Sequence, residues 1–178
     1  RLAAIPWHAL KGLGPELEPA LTQVLQGESA ERVLDRFLRA HRGFTPEQRT
    51  VSAESLFGVG LWRRRLALGL AQPAPLILLA RLVRDLAGVP DDLLGVSAPP
   101  STPPESLADT WSLPDWLAAG LTAVLPAGEL EACARTLNAP GPICLRANLE
   151  RVSRAALQQA LAAEGITTSP SALTEAGL

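Results

Sequence analysis

The sequence predicts a mainly α protein: a helical bundle first, then a small α/β subdomain. Three observations carry that expectation. Hydrophobic residues make up 47% of the 178 residues but aromatics only 4%, with no Tyr, so Leu and Ala must fill the interior. Both favour helix, whereas the β-branched and aromatic strand formers are scarce. Helix punctuation recurs along the chain as Pro at first turns and Gly after last turns. Finally, Ser97–Pro104 holds four prolines in eight residues and no charge. That composition reads as a linker between a domain over residues 1–96 and a second over 105–178.

Leu17 to Gln26 reads as an amphipathic helix opened by Pro15 and closed by Gly27. Ser29 is placed to cap a helix from Ala30 to His41, with Gly43 as its stop. Val33, Leu34, Phe37 and Leu38 form its apolar stripe, and Arg32, Arg36 and Arg39 lie on a neighbouring face. Thr45-Pro46-Glu47-Gln48 has the pattern of a capping box with Pro at the first helical position. Gly58 and Gly60 then predict close packing or a break before Trp62-Arg63-Arg64-Arg65-Leu66 starts a stretch towards Leu70. Leu76 to Ala87 is an apolar helix ended by Gly88 and Pro90, and Asp91 to Leu94 adds a turn. Beyond the Pro-rich segment, Pro114 opens a helix to about Val124 and Pro126 another to about Asn138. Pro140-Gly141-Pro142 is a hard stop. Ile143 to Asn148 alternates as a strand does, Ser153 caps a helix to Glu164, and Ile166 to Ser169 reads as a second strand.

The longest apolar run, Ala74 to Ala80, is broken by Pro75 and falls far short of the roughly 20 residues of a membrane span. No signal peptide is legible, and the two cysteines suit a reducing cytoplasm. Met is absent altogether, and Ser169 to Leu178 brings no closing element, so we expect a piece of a longer protein. Net charge is −2, unevenly spread: residues 1–84 carry 12 Lys+Arg against 7 Asp+Glu, residues 85–178 carry 4 against 11. Lys11 is the only lysine. Arginine donates in a planar fork that suits phosphates, although a GC-rich genome would also favour it.

Catalytic patterns are missing. Gly58-Val59-Gly60 and Gly12-Leu13-Gly14 do not extend to a dinucleotide loop. His8 and His41 lack partners at catalytic or metal spacing, and His41 reads as a helix C-terminal residue. Cys133 and Cys144 read as small packing residues, and Asp91-Asp92 as a solvated pair. No catalytic, cofactor-binding or metal residue is expected. The arginines are the chemical feature. Three successive residues of a helix fan across about 200°, so Arg63, Arg64 and Arg65 cannot all be buried. With Arg32, Arg36, Arg39 and Arg42 they compose either a phosphate-binding patch or a solvated face paired to Glu31, Asp35 or Glu54.

Three stretches together resemble one family. They are Glu31–Arg39 with Glu54 through Leu66; Trp111-Ser112-Leu113-Pro114-Asp115-Trp116-Leu117; and Asn138-Ala139-Pro140 followed by Pro142 through Asn148. They are similar to the NusB-like domain and RRM-like subdomain at the front of bacterial Sun/Fmu-type ribosomal RNA cytosine-5 methyltransferases. The chain departs from the family pattern at Ala147, Leu149 and Gly60-Leu61. The resemblance implies a NusB-like bundle followed by a partial RRM-like subdomain. It also implies that the S-adenosylmethionine site and catalytic cysteines lie in a further C-terminal domain, so that this piece needs no cofactor of its own. The implied role is to orient 16S ribosomal RNA through Arg63, Arg64, Arg65, Arg36 and Arg39, with Arg146 and Asn148 near the substrate path. Its partners would be ribosomal RNA and the missing catalytic domain, not DNA or membrane. The alternatives are a protein-docking module without RNA binding and a domain that only stabilises the catalytic one.

Overall fold

The computed structural model describes residues 2–141 and 143–178. Pro142, the last residue of the predicted stop, lies outside them, as do the side chains of Asp91 and Asp92. The chain divides into two compact units, Arg1–Asn138 and Ala139–Leu178.

The first unit is helical. Two short 3-10 turns, Leu2–Ala4 and Trp7–Leu10, precede α1 (Gly14–Leu25), α2 (Ala30–Ala40), α3 (Pro46–Ala67) and α4 (Pro75–Arg81). The sequence reading did not anticipate the two turns, yet Trp7 is a central core residue, 1% exposed, with its indole N–H donating to Leu2 O at 2.8 Å. Leu17 and Leu21 of α1, Val33 and Phe37 of α2, Leu56 and Val59 of α3, and Leu78 and Leu79 of α4 surround it in one cluster. Burying such side chains contributes about 1.5–3 kcal/mol each before conformational entropy is subtracted.

α3 is the spine, packing against α1, α2 and α4. Its start is the expected capping box: Gln48 N–H donates to Thr45 Oγ1 at 3.2 Å, and Thr45 N–H to Gln48 Oε1 at 3.0 Å. Of the two outcomes predicted for Gly58 and Gly60, close packing is the one realised. α3 runs unbroken through both. A Cβ on Gly58 would lie 2.6 Å from Leu82 Cδ2, and one on Gly60 3.1 Å from Val24 Cγ1. α4 ends earlier than its periodicity suggests and widens into a π turn, Leu82–Leu86. Helix α2 ends at Ala40, one residue short of the expected His41, which caps it. His41 Nδ1 sits 2.8 Å from Phe37 O, and its ring stacks on Phe37 and Phe44, with centroids at 4.3 and 4.8 Å.

The Pro-rich segment is a strap held by arginines. The four prolines carry no N–H, so at those positions the backbone offers only acceptors. Arg81, 1% exposed, donates to Leu66 O, Leu68 O and Pro100 O at 2.8, 2.7 and 2.9 Å. Arg84 donates to Ala98 O at 2.7 Å. One guanidinium therefore satisfies carbonyls at the α3 C-terminus and on the strap together. A short helix absent from the sequence reading, α5 (Leu107–Trp111), follows, then α6 (Asp115–Val124) and α7 (Ala127–Leu137). Trp111 stacks near Trp62 of α3, centroids 6.0 Å apart. α5 packs on α3, and the two compact units divide after Asn138.

The second unit consists of α8 (Arg154–Ala163) and extended chain. Ser153 Oγ caps α8 by accepting from Ala156 N–H at 3.2 Å. Ile143 to Asn148 is extended but pairs only briefly. Leu145 and Leu178 exchange both backbone bonds at 2.9 Å, Ala147 N–H donates to Ala176 O at 2.8 Å, and Arg146 bridges Gly177 antiparallel. Ile166 to Ser169 forms no strand. Instead, Gln158 of α8 donates to Thr168 O at 2.8 Å, which directs that backbone to the helix. Over 105–178 the expected α/β subdomain therefore shows, among the described residues, helices α5 to α8 and an isolated bridge but no strand.

Candidate nucleic-acid interface

The predicted arginines separate by what holds them. On α3, Arg63, Arg64 and Arg65 point in three directions, and each reaches a different segment. Arg63, exposed, donates to Leu25 O at the end of α1 at 2.8 Å. Arg65 donates to Thr110 O of α5 at 2.8 Å. Arg64 lies at the centre of a polar junction: Nε donates to Asp109 at 2.7 Å, Nη1 to Asp115 and to Leu113 O, and its backbone N–H to Ser112 Oγ at 3.0 Å. The hydrogen bond to Asp115, then that to Asp109, raises the Arg64 pKa further. Hydrogen bonds from Ser106 and Arg64 hold the Asp109 carboxyl below the usual carboxylate range. The triplet therefore braces α3 against α1 and α5–α6, and two carboxylates neutralise its middle member. The triplet's partners lie far from it in sequence, at Leu25, Asp109, Thr110, Leu113 and Asp115.

Arg36 of α2 is also occupied, by Glu28 and by Gln23 Oε1 at 3.0 Å. Arg39 is paired to Asp35 one turn earlier, at 2.9 Å, with both side chains largely exposed. Beside Arg39 are Arg42, on the loop after α2, and Arg49 on α3; with Asp35 and Leu38 they line one open concavity. Arg49 donates to Phe44 O at 3.3 Å and to Arg42 O at 3.2 Å, bonds that leave its charge uncompensated. The sequence reading passed over Arg49, and its only signal there was a third arginine following Arg39 and Arg42. In the second unit, Arg146 and Asn148 are exposed and line a shallow concavity with Glu150. Asn148 Oδ1 accepts from Glu150 N–H at 3.2 Å.

The remaining candidates carry no assembled chemistry. His8 lies 3.3 Å from Glu47 on the surface. Cys133 is half-buried in α7 and Cys144 is exposed. Among the described residues no three His, Cys, Asp or Glu side chains are grouped to hold a metal ion, and no helix is long and apolar enough to cross a membrane. Gly58 and Gly60 are packed mid-helix, and Gly12–Gly14 follows a 3-10 turn rather than a strand.

Residues 113–178 match the family model described as Methyltr_RsmF/B-like, ferredoxin-like domain. The match relates this part of the chain to ribosomal RNA methyltransferases of that type. No curated protein and no solved structure matches the chain.

Proposed function

We propose that the chain is the RNA-binding front of an S-adenosylmethionine-dependent 16S ribosomal RNA cytosine-5 methyltransferase, acting in the cytoplasm. The match over residues 113–178 carries this reading. The helices before residue 113 take the place of a NusB-like domain in this reading. Its work is to bind and orient RNA, while methyl transfer, with its cofactor and catalytic cysteines, belongs to a catalytic domain outside these residues. Phosphate contacts by arginines supply affinity that depends on salt and little on sequence.

A second reading is favoured by one observation. A groove of about 320 Å³ between α1 and α2 is lined by Pro19, Ala20, Val33 and Phe37 and suits a protein-docking module. Titrating a labelled 16S ribosomal RNA hairpin into the chain at 50 and 200 mM salt decides between the two. Micromolar binding that weakens steeply with salt, and exceeds binding to duplex DNA of equal length, supports the RNA reading. No RNA binding at 50 mM salt would remove it and leave the docking module.

A further inference from the structure

We infer that the corner where α2 meets α3 is the phosphate-contact site of the first unit, formed by Arg39, Arg42 and Arg49 and addressed to the phosphodiester backbone of RNA. This inference rests on the RNA-binding reading and moves it away from the Arg63-Arg64-Arg65 run.

A guanidinium neutralised by carboxylates has little affinity to offer an incoming phosphate, because the new contact must replace an existing one. By that criterion Arg64, between Asp109 and Asp115, and Arg36, on Glu28, are committed. At the α2–α3 corner three guanidiniums share one concavity with a single carboxylate, Asp35. Arg42 has no ion-pair partner among the described residues. Arg49 spends two of its five N–H donors on main-chain carbonyls, which fix its position and leave its full charge. Arg49 is therefore positioned by bonds that do not compete with an anion, while Arg39 shares its charge with Asp35 alone, in a largely exposed pair. The loop that brings them together is itself fixed, by the Phe37–His41–Phe44 ring cluster on one side and the Thr45–Gln48 capping box on the other. Little ordering remains to be done on binding, and preorganisation of this kind raises affinity.

The test is fluorescence anisotropy of a labelled 16S ribosomal RNA hairpin against the wild-type chain, the double variant Arg39→Ala/Arg42→Ala, and Arg63→Ala. The two replaced corner side chains are exposed, so the double variant keeps its fold, which circular dichroism verifies. The double variant is expected to bind about 10-fold more weakly at 0.1 M salt, with the slope of log affinity against log salt flatter by about 1.5. Arg63→Ala, roughly 20 Å further along α3, should change affinity less than 3-fold. Wild-type binding that the double variant retains in full would overturn this site and leave the RNA reading standing. Absence of binding by the wild type would overturn both. Displacement of the RNA by millimolar inorganic phosphate at matched ionic strength would assign the corner to a free anion instead, and also overturns the inference.

Discussion

The two units differ in how much they bury. In Arg1–Asn138 helices α1 to α4, the first 3-10 turns and the Pro-rich strap enclose a core that includes Trp7, Leu17, Leu56, Leu79 and Leu82, all at most 1% exposed, and α5 to α7 hold a second, smaller one around Ala108, Leu113, Ala118 and Ala134. Among the described residues of Ala139–Leu178 only Ala147, Ala176 and Leu178 are buried hydrophobics, α8 has no buried residue, and Ile143 and Leu173 are 89% and 95% exposed. A single helix with one antiparallel bridge cannot cover its own apolar side chains, since a stable sheet needs three or more strands or a packed helix layer. The contrast teaches that stability and specificity of shape reside in the first unit. The second is held by α8 and a few backbone bonds.

The sharpest way to break this comparison is to remove equal volumes from each unit. Leu56→Ala, at the fully buried centre of α3, should cost about 3–5 kcal/mol and lower the melting temperature by more than 10 °C. Leu157→Ala, half-buried on α8, should cost less than about 1 kcal/mol. Equal losses in thermal unfolding would dissolve the distinction.

A smaller effect sharpens the account of the strap. Arg81→Met keeps length but strips the donors from Leu66, Leu68 and Pro100, and should destabilise by about 2–3 kcal/mol. Burial lowers the Arg81 pKa, but not its role as a donor to these carbonyls. In limited proteolysis the wild type should be cut first within 139–178, and Arg81→Met should open a new site within 97–104. Early cleavage of the wild-type strap would contradict the anchoring described here.

Below that comes the junction of Arg64. Arg64→Ala should cost about 1–2 kcal/mol, discounted because the side chain is 35% exposed. The smallest expected effect is on pH dependence. The folded-state pKa of Asp109 is lowered, so its contribution is complete above the unfolded carboxyl value of about 3.9 and is lost as pH falls through the depressed one. Asp109→Asn should therefore flatten the loss of melting temperature below about pH 4. An unchanged acid limb would show that the Arg64–Asp109 bond carries no net stability.

Much of this was legible one element at a time. The Thr45 capping box, the Pro114 and Pro126 helix starts and the Ser153 cap are local patterns whose hydrogen bonds close within four residues. Sequence alone can state them because nothing distant competes. The short helix at Leu107–Trp111 was missed because it has little more than one turn and no periodic stripe. The strand at Ile166–Ser169 was expected from composition and did not form, because strand pairing depends on a neighbour and Gln158 had already taken the Thr168 carbonyl.

The sequence by itself determined the mainly α class, the order of the long helices, the absence of a recognisable catalytic pattern and the basic first half. These follow from composition and short-range chemistry. Only the tertiary structure decided which arginines remain available. The run Arg63-Arg64-Arg65 was the most conspicuous basic feature, and packing turned it into braces reaching Leu25, Asp109, Asp115 and Thr110. The less conspicuous Arg39, Arg42 and Arg49 were gathered at a helix corner with one carboxylate among them. The physical reason is that a guanidinium's charge is fixed by its residue type, whereas its compensation depends on partners that the fold brings from up to about fifty residues away.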